Sequence, residues 1–193
     1  MPIVDYPLRF YAIKMFLERA LKVDDEYIRM LDKEYTEEEW DEFGEAEHDH
    51  AVDILLDYQA IVTRAVLGEL NALVEYELKW VARTIQRQHH GLSHRTEKKI
   101  TREKARKIIE DEHSIELKYL PGFDKVEEIR KVVNAYKHDD GYSGEYEPFL
   151  VMFIEKKYEL DLDMIDECMQ AVDEFLSALP GSKLNLGEDV RVK

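Results

Sequence analysis

The chain contains one cysteine, five prolines and eight glycines in 193 residues, and each scarcity excludes something. A single thiol, Cys168, rules out a disulfide framework, and its place among apolar residues of a predicted helix suits a reducing compartment. Between Pro7 and Pro121 only Gly44, Gly68 and Gly91 punctuate the chain, so helices meet few breakers and an all-α fold is expected. No apolar run approaches the roughly 18 residues that a membrane span requires. The opening Met-Pro-Ile-Val-Asp-Tyr lacks a basic stretch followed by an apolar core, so a cytoplasmic protein without membrane association is expected. A glycine-rich phosphate loop, a serine elbow and Cys/His zinc spacing are all missing, which disfavours nucleotide switches, serine hydrolases and zinc ribbons.

What is present is the make-up of a globular protein, with 45% hydrophobic and 36% charged residues. Residues 1–180 read as one helical domain of long antiparallel helices, and 181–193 as a tail. The net charge of −16 disfavours general attraction to phosphate or anionic lipid. Yet Arg83 to Lys107 holds nine basic residues against Glu97 and Glu103, a net +7 that leaves −23 on the remainder. Such a segment, with Arg95, Lys98, Lys99, Arg102 and Arg106, is either a footprint for a polyanion or a dock for an acidic surface of this chain or of a second subunit.

Apolar spacing places the elements. Pro7 opens a helix to about Leu21, with Phe10, Ile13, Phe16, Leu17, Ala20 and Leu21 at helical intervals, and a shorter helix is expected after Asp24 or Asp25. Thr36-Glu-Glu-Glu39 is a capping-box pattern for a helix carrying Trp40 and Phe43. From Ala46 to His90, Val52, Leu55, Leu56, Ile61, Val62, Val66, Leu70, Leu73, Val74, Leu78 and Val81 recur at threes and fours. Two helices meeting or kinking near Gly68 are expected, because one unbroken helix would be about 65 Å long. Gly91 is a candidate C-cap, and Thr101 caps a helix to about Lys118. Pro121-Gly122 makes a turn, and Asp124 caps a helix to His138. A loop, Asp139 to Gly144, precedes the apolar segment restarted at Pro148. A last helix runs from Asp163 to Leu179, with Ile165, Met169, Val172, Phe175, Leu176 and Leu179 on one face. Trp40, Trp80 and most of the eleven tyrosines sit at core or boundary spacing.

The 124–138 helix carries the main lead to chemistry. Val126, Ile129, Val133 and Tyr136 form its apolar face, whereas Lys131, Asn134 and His138 cluster on the opposite side with Arg130 at the border. A cation, an amide and an imidazole in one row can bind a phosphodiester, polarise it and move a proton near neutral pH. A plainer reading is that His138 and Lys137 complement the helix dipole and that Glu127 pairs with Lys131 four residues on.

The stretch Ile129-Arg-Lys-Val-Val-Asn-Ala-Tyr-Lys-His138, followed by Gly141, resembles the late helix of the HEPN superfamily, all-α proteins that include metal-independent RNases of toxin and defence systems. The resemblance covers some 20 residues. The family pattern is an arginine, commonly followed by a polar residue, then four to six residues and a histidine, with sites formed at a dimer cleft. Asn134 and His138 match it. Lys131 stands at the six-residue spacing, Val132 and Val133 at the closer ones, and Arg130 one position too far. The resemblance implies a homodimeric, HEPN-like bundle acting on RNA or another nucleic acid without a cofactor. His138 would transfer the proton, Asn134 would position the phosphate, and Lys131 or Arg130 would contact it.

Two other readings compete. A non-catalytic helical module for a protein partner would bury the basic segment in an acidic interface. Alternatively, Glu45-x-x-His48, Glu47-x-x-His50 and Glu110-x-x-His113 have the spacing of di-metal ligands, with Glu69, Glu75 or Glu77 as completing carboxylates. Glu37, Glu38 and Asp41, with Glu110 and His113, are similar to the acidic helices of metal-dependent all-α nucleotide pyrophosphohydrolases.

Overall fold

The computed structural model describes residues 6–31, 42–90, 100–138 and 162–182. These residues are helical throughout apart from short turns, and no strand occurs among them. The α-helices are α1 (Tyr6–Leu31), α2 (Glu42–His90), α3 (Arg102–His113), α4 (Phe123–His138) and α5 (Leu162–Ala178), with a 3-10 turn at Leu117–Tyr119. Helices α2, α4 and α5 each contribute to two compact units. One comprises Met1–Leu67 and Asn134–Ile165, the other Gly68–Val133 and Asp166–Lys193.

In the first unit α1 buries Ile13, Leu17 and Ala20, and α2 buries Leu55, Val62, Val66 and Leu67. The Tyr58 hydroxyl donates to the Ala20 carbonyl at 3.1 Å, tying α2 to α1. Contrary to the sequence expectation, α1 continues through Asp24 and Asp25. Aspartate can cap a helix but does not stop one, and neither proline nor glycine follows before Gly44. Phe16 and Ile61 share the helical spacing of the apolar residues and yet are 43% and 57% exposed. Tyr11, at 62%, is likewise a surface residue.

Helix α2 is one element of 49 residues rather than two. A glycine inside a helix costs only about 1 kcal/mol. The buried side chains on either side of it, Val66, Leu67, Leu70, Leu73 and Val74, hold the helix through Gly68. The boundary between the two units nonetheless falls at Gly68, the position where the sequence suggested a break. The expected capping box at Thr36–Glu39, the Gly91 cap, the 139–144 loop and the segment after Pro148 lie outside the described residues.

The second unit is built on Leu70, Leu73, Val74, Leu78, Val81, Ile109, Leu117, Val126, Ile129, Val172, Phe175, Leu176 and Leu179, all almost completely buried. Thr101 caps α3 as expected, its hydroxyl accepting from the Lys104 N–H at 3.3 Å. The helix ends at His113 and not near Lys118, because Ser114 adopts the left-handed conformation (φ 52°) and its N–H bonds back to the Glu110 carbonyl. The Glu110 carboxylate then accepts the Leu117 N–H at 2.9 Å, and Leu117 is buried. A local acid and an apolar anchor thus turn the chain before the periodicity runs out.

Gly122 sits at φ +72°, and a Cβ there would overlap the Ala171 carbonyl of α5. Helix α4 begins immediately after it, with Val126 N–H donating to the Gly122 carbonyl at 3.0 Å. Asp124 therefore lies in the first turn rather than at the cap. Phe123 packs on Phe175 with ring centroids 6.1 Å apart. In α5 every apolar position read from the sequence is buried, and Cys168 beside them is buried as a free thiol.

Candidate functional site

Helix α4 buries the apolar face that its periodicity requires. Val126, Ile129, Val132, Val133 and Ala135 are buried, whereas Lys131 is exposed and Asn134 half-buried. His138 is the last residue of α4, and its side chain lies outside the described residues. Tyr136 is half-buried beneath the Arg64 guanidinium, 5.3 Å from its ring centroid. Burial raises the tyrosine pKa, with Arg64 opposing.

Arg130, at the border of the stripe, is held elsewhere. Its Nε donates to Glu127 Oε2 at 2.8 Å. The other oxygen of the same carboxylate accepts from Arg102 at 2.8 Å, and Arg102 also donates to Asn71 Oδ1 at 3.3 Å. One carboxylate therefore fastens two arginines, and through Asn71 the network joins α2, α3 and α4. Glu127 is engaged by Arg102 and Arg130 rather than forming the expected pair with Lys131. Burial favours the protonated form of Glu127, but the two guanidinium groups outweigh it and hold the carboxyl below its ordinary range. Arg102 is itself lowered by burial, with Glu127 opposing.

Of the expected basic footprint, the two described members, Arg102 and Arg106, are engaged within the chain. Arg102 is only 15% exposed in its pair with Glu127. Arg106 donates to Glu110 at 2.8 Å and lies over the Phe123 ring at 5.1 Å. Arg95, Lys98 and Lys99 lie outside the described residues.

Of the suggested metal ligands, Glu110 is committed to Arg106 and the Leu117 amide. Glu75 pairs with Lys79 at 2.8 Å. Glu77 is buried, while Glu69, His50 and His113 are exposed. Glu37, Glu38 and Asp41, and the side chains of Glu45, Glu47 and His48, lie outside the described residues. Among the described residues no group of three or more His, Cys, Asp or Glu side chains could hold a metal ion.

A different surface escaped the sequence reading. Helix α1 has two apolar faces. Away from Ile13, Leu17 and Ala20 it exposes Leu8 (64%) and Tyr11 (62%), with Phe16 (43%) and Val23 (36%) between the two faces. The signal was available in the two phases of apolar residues along α1, but periodicity alone does not say which phase turns inward. On α2 of the same unit, Ile54 and Ile61 are also exposed.

These features define an all-helical protein in which, among the described residues, no helix is long and apolar enough to cross a membrane. Neither a family model, nor a curated protein, nor a solved structure matches the chain.

Proposed function

We propose that this chain is a non-catalytic helical module that binds a protein partner through its first unit. The observation that carries this reading is the concentration of large exposed apolar side chains on α1 and the first half of α2. Isolated surface apolar residues are ordinary, but an apolar stripe along one helix marks an interaction surface. Among the described residues, Arg102 and Arg130 share the Glu127 carboxylate and Arg106 is paired with Glu110, which supports the reading from the other side.

The test is a photo-crosslinking residue at position 11, installed in the full chain expressed in cells. Discrete protein adducts are expected there, and not when the residue replaces the exposed Glu103 of the second unit. Adducts absent from position 11, or equal at both positions, would count against the module.

A second reading draws on the outward Lys131 and half-buried Asn134. In it the chain is a HEPN-type homodimer that binds or cleaves RNA, His138 transferring the proton and Asn134 and Lys131 holding the phosphate. Labelled single-stranded RNA incubated in EDTA with native protein and His138→Ala separates the two. Cleavage lost in the variant would favour this nuclease reading. Absence of both cleavage and steeply salt-dependent binding would remove it.

A further inference from the structure

The interaction reading leaves the partner's chemistry open, and α1 narrows it. At 100° per residue, Leu8, Tyr11, Ala12, Met15, Phe16, Arg19 and Val23 fall within an arc of about 140°, its centre about 140° from that of the buried Ile13, Leu17 and Ala20. Leu8 and Met15 are one heptad apart with Tyr11 between them, a ridge running along the helix axis. A ridge of this kind is matched by a second helix lying alongside.

Charge supplies the independent constraint. Between Leu8 and Val23 the helix carries Arg9, Lys14, Arg19 and Lys22 against Glu18 alone, in a chain whose net charge is −16. Lys14, Arg19 and Lys22 are exposed, and none forms an ion pair among the described residues. Arg102, Arg106 and Arg130 differ in being held in ion pairs, the first and last through the one Glu127 carboxylate. Cations left beside an apolar ridge complement a partner bearing carboxylates beside its own.

Other occupants fit less well. A second copy offering the same face would set cations against cations. The four large side chains also expose only on the order of 400 Å², about half of the 800 Å² per partner in a standard interface. An anionic membrane would attract this stripe but repel the acidic body that carries it. The area is what a single helical segment would cover.

We infer that the outward face of α1 binds an acidic amphipathic helix, with Leu8, Tyr11, Phe16 and Val23 as the apolar contact and Lys14, Arg19 and Lys22 as its charge partners. This rests on the interaction reading above. The test uses the full chain and a labelled synthetic helix of about 22 residues, with leucines at heptad a and d and glutamates flanking them. A second peptide replaces every glutamate by lysine. Fluorescence anisotropy at about 50 and 300 mM salt reads affinity on both sides of substantial screening.

The acidic peptide is expected to bind at least about tenfold more tightly than the basic one at low salt, with the preference shrinking at high salt. Tyr11→Ser/Phe16→Ser should weaken binding at least about tenfold. Lys14→Glu/Lys22→Glu should remove the acidic preference, and both variants should keep the native circular dichroism and melting temperature because the altered side chains are exposed. Equal binding of the two peptides, or indifference to both variants, would overturn the inference. So would concentration-dependent dimerisation abolished by Tyr11→Ser/Phe16→Ser, which assigns the face to a second copy. Tighter binding to vesicles of phosphatidylserine in phosphatidylcholine than to the acidic peptide would overturn it in favour of lipid. Protein adducts at position 11 without any acidic preference would sink this inference alone, whereas loss of adducts and peptide binding together would sink the interaction reading as well.

Discussion

Gly68→Ala, inside α2, should stabilise this protein, whereas Gly122→Ala, immediately before α4, should destabilise it. At Gly68 a Cβ would have no neighbour within 4 Å beyond the helix's own adjacent backbone. The substitution therefore removes only the entropic penalty of glycine in a helix, about 1 kcal/mol. At Gly122 the backbone has φ +72° and the Cβ would overlap the Ala171 carbonyl. The left-handed conformation costs a non-glycine residue about 1–2 kcal/mol and the overlap at least another, so a loss of about 3 kcal/mol is expected. For a chain of this length each kcal/mol moves the midpoint by about 2–4 °C. Calorimetry should show Gly68→Ala melting a few degrees higher and Gly122→Ala roughly 6–12 °C lower, with urea titrations ranking the three proteins identically. A destabilised Gly68→Ala protein would refute the reasoning, because it would mean that α2 needs a break at this position.

Other consequences follow from the same physical reading. Glu127→Gln should cost about 2 kcal/mol, since it leaves the largely buried Arg102 without its counter-charge; urea unfolding at neutral pH checks this. Glu127 is depressed below its ordinary 4.5, so its contribution is fully present above that value and lost as pH falls through the lower folded value. The variant should therefore show a flatter loss of stability below about pH 4.5 than the native protein, and an unchanged acid profile would exclude Glu127 from the acid response. Thr101→Ala removes the acceptor for the Lys104 amide and should cost about 1 kcal/mol, whereas Thr101→Asp should retain most of the native stability. Ile61→Ser should change stability by less than about 0.5 kcal/mol while Leu55→Ala on the same helix should cost about 2–5, a difference that reverses if Ile61 belongs to the core.

The all-helical class was legible because period and punctuation are local. Apolar residues at threes and fours with few glycines or prolines leave no competing pattern, and in α5 every residue assigned to the inner face is buried. Thr101 was legible for the same reason, since a cap concerns only the next three residues. The apolar face of α4 was legible, with Val126, Ile129 and Val133 inward and Lys131 outward on the other side. Which acid would hold which base was not. Spacing offered Lys131 to Glu127, but folding brings Arg102 from another helix and sets Arg130 against the same carboxylate.

The sequence by itself determined that these segments are helices and which residues share a face, because both follow from one chemical period along the backbone. Tertiary structure decided where several helices stop or continue: burial on both sides carries α2 through Gly68, and the Glu110–Leu117 bond belongs to the turn that ends α3 early. It also decided which of two apolar faces of α1 enters the core and which remains available. A helix can record both faces in its sequence, but only the surfaces packed against it determine which one loses water.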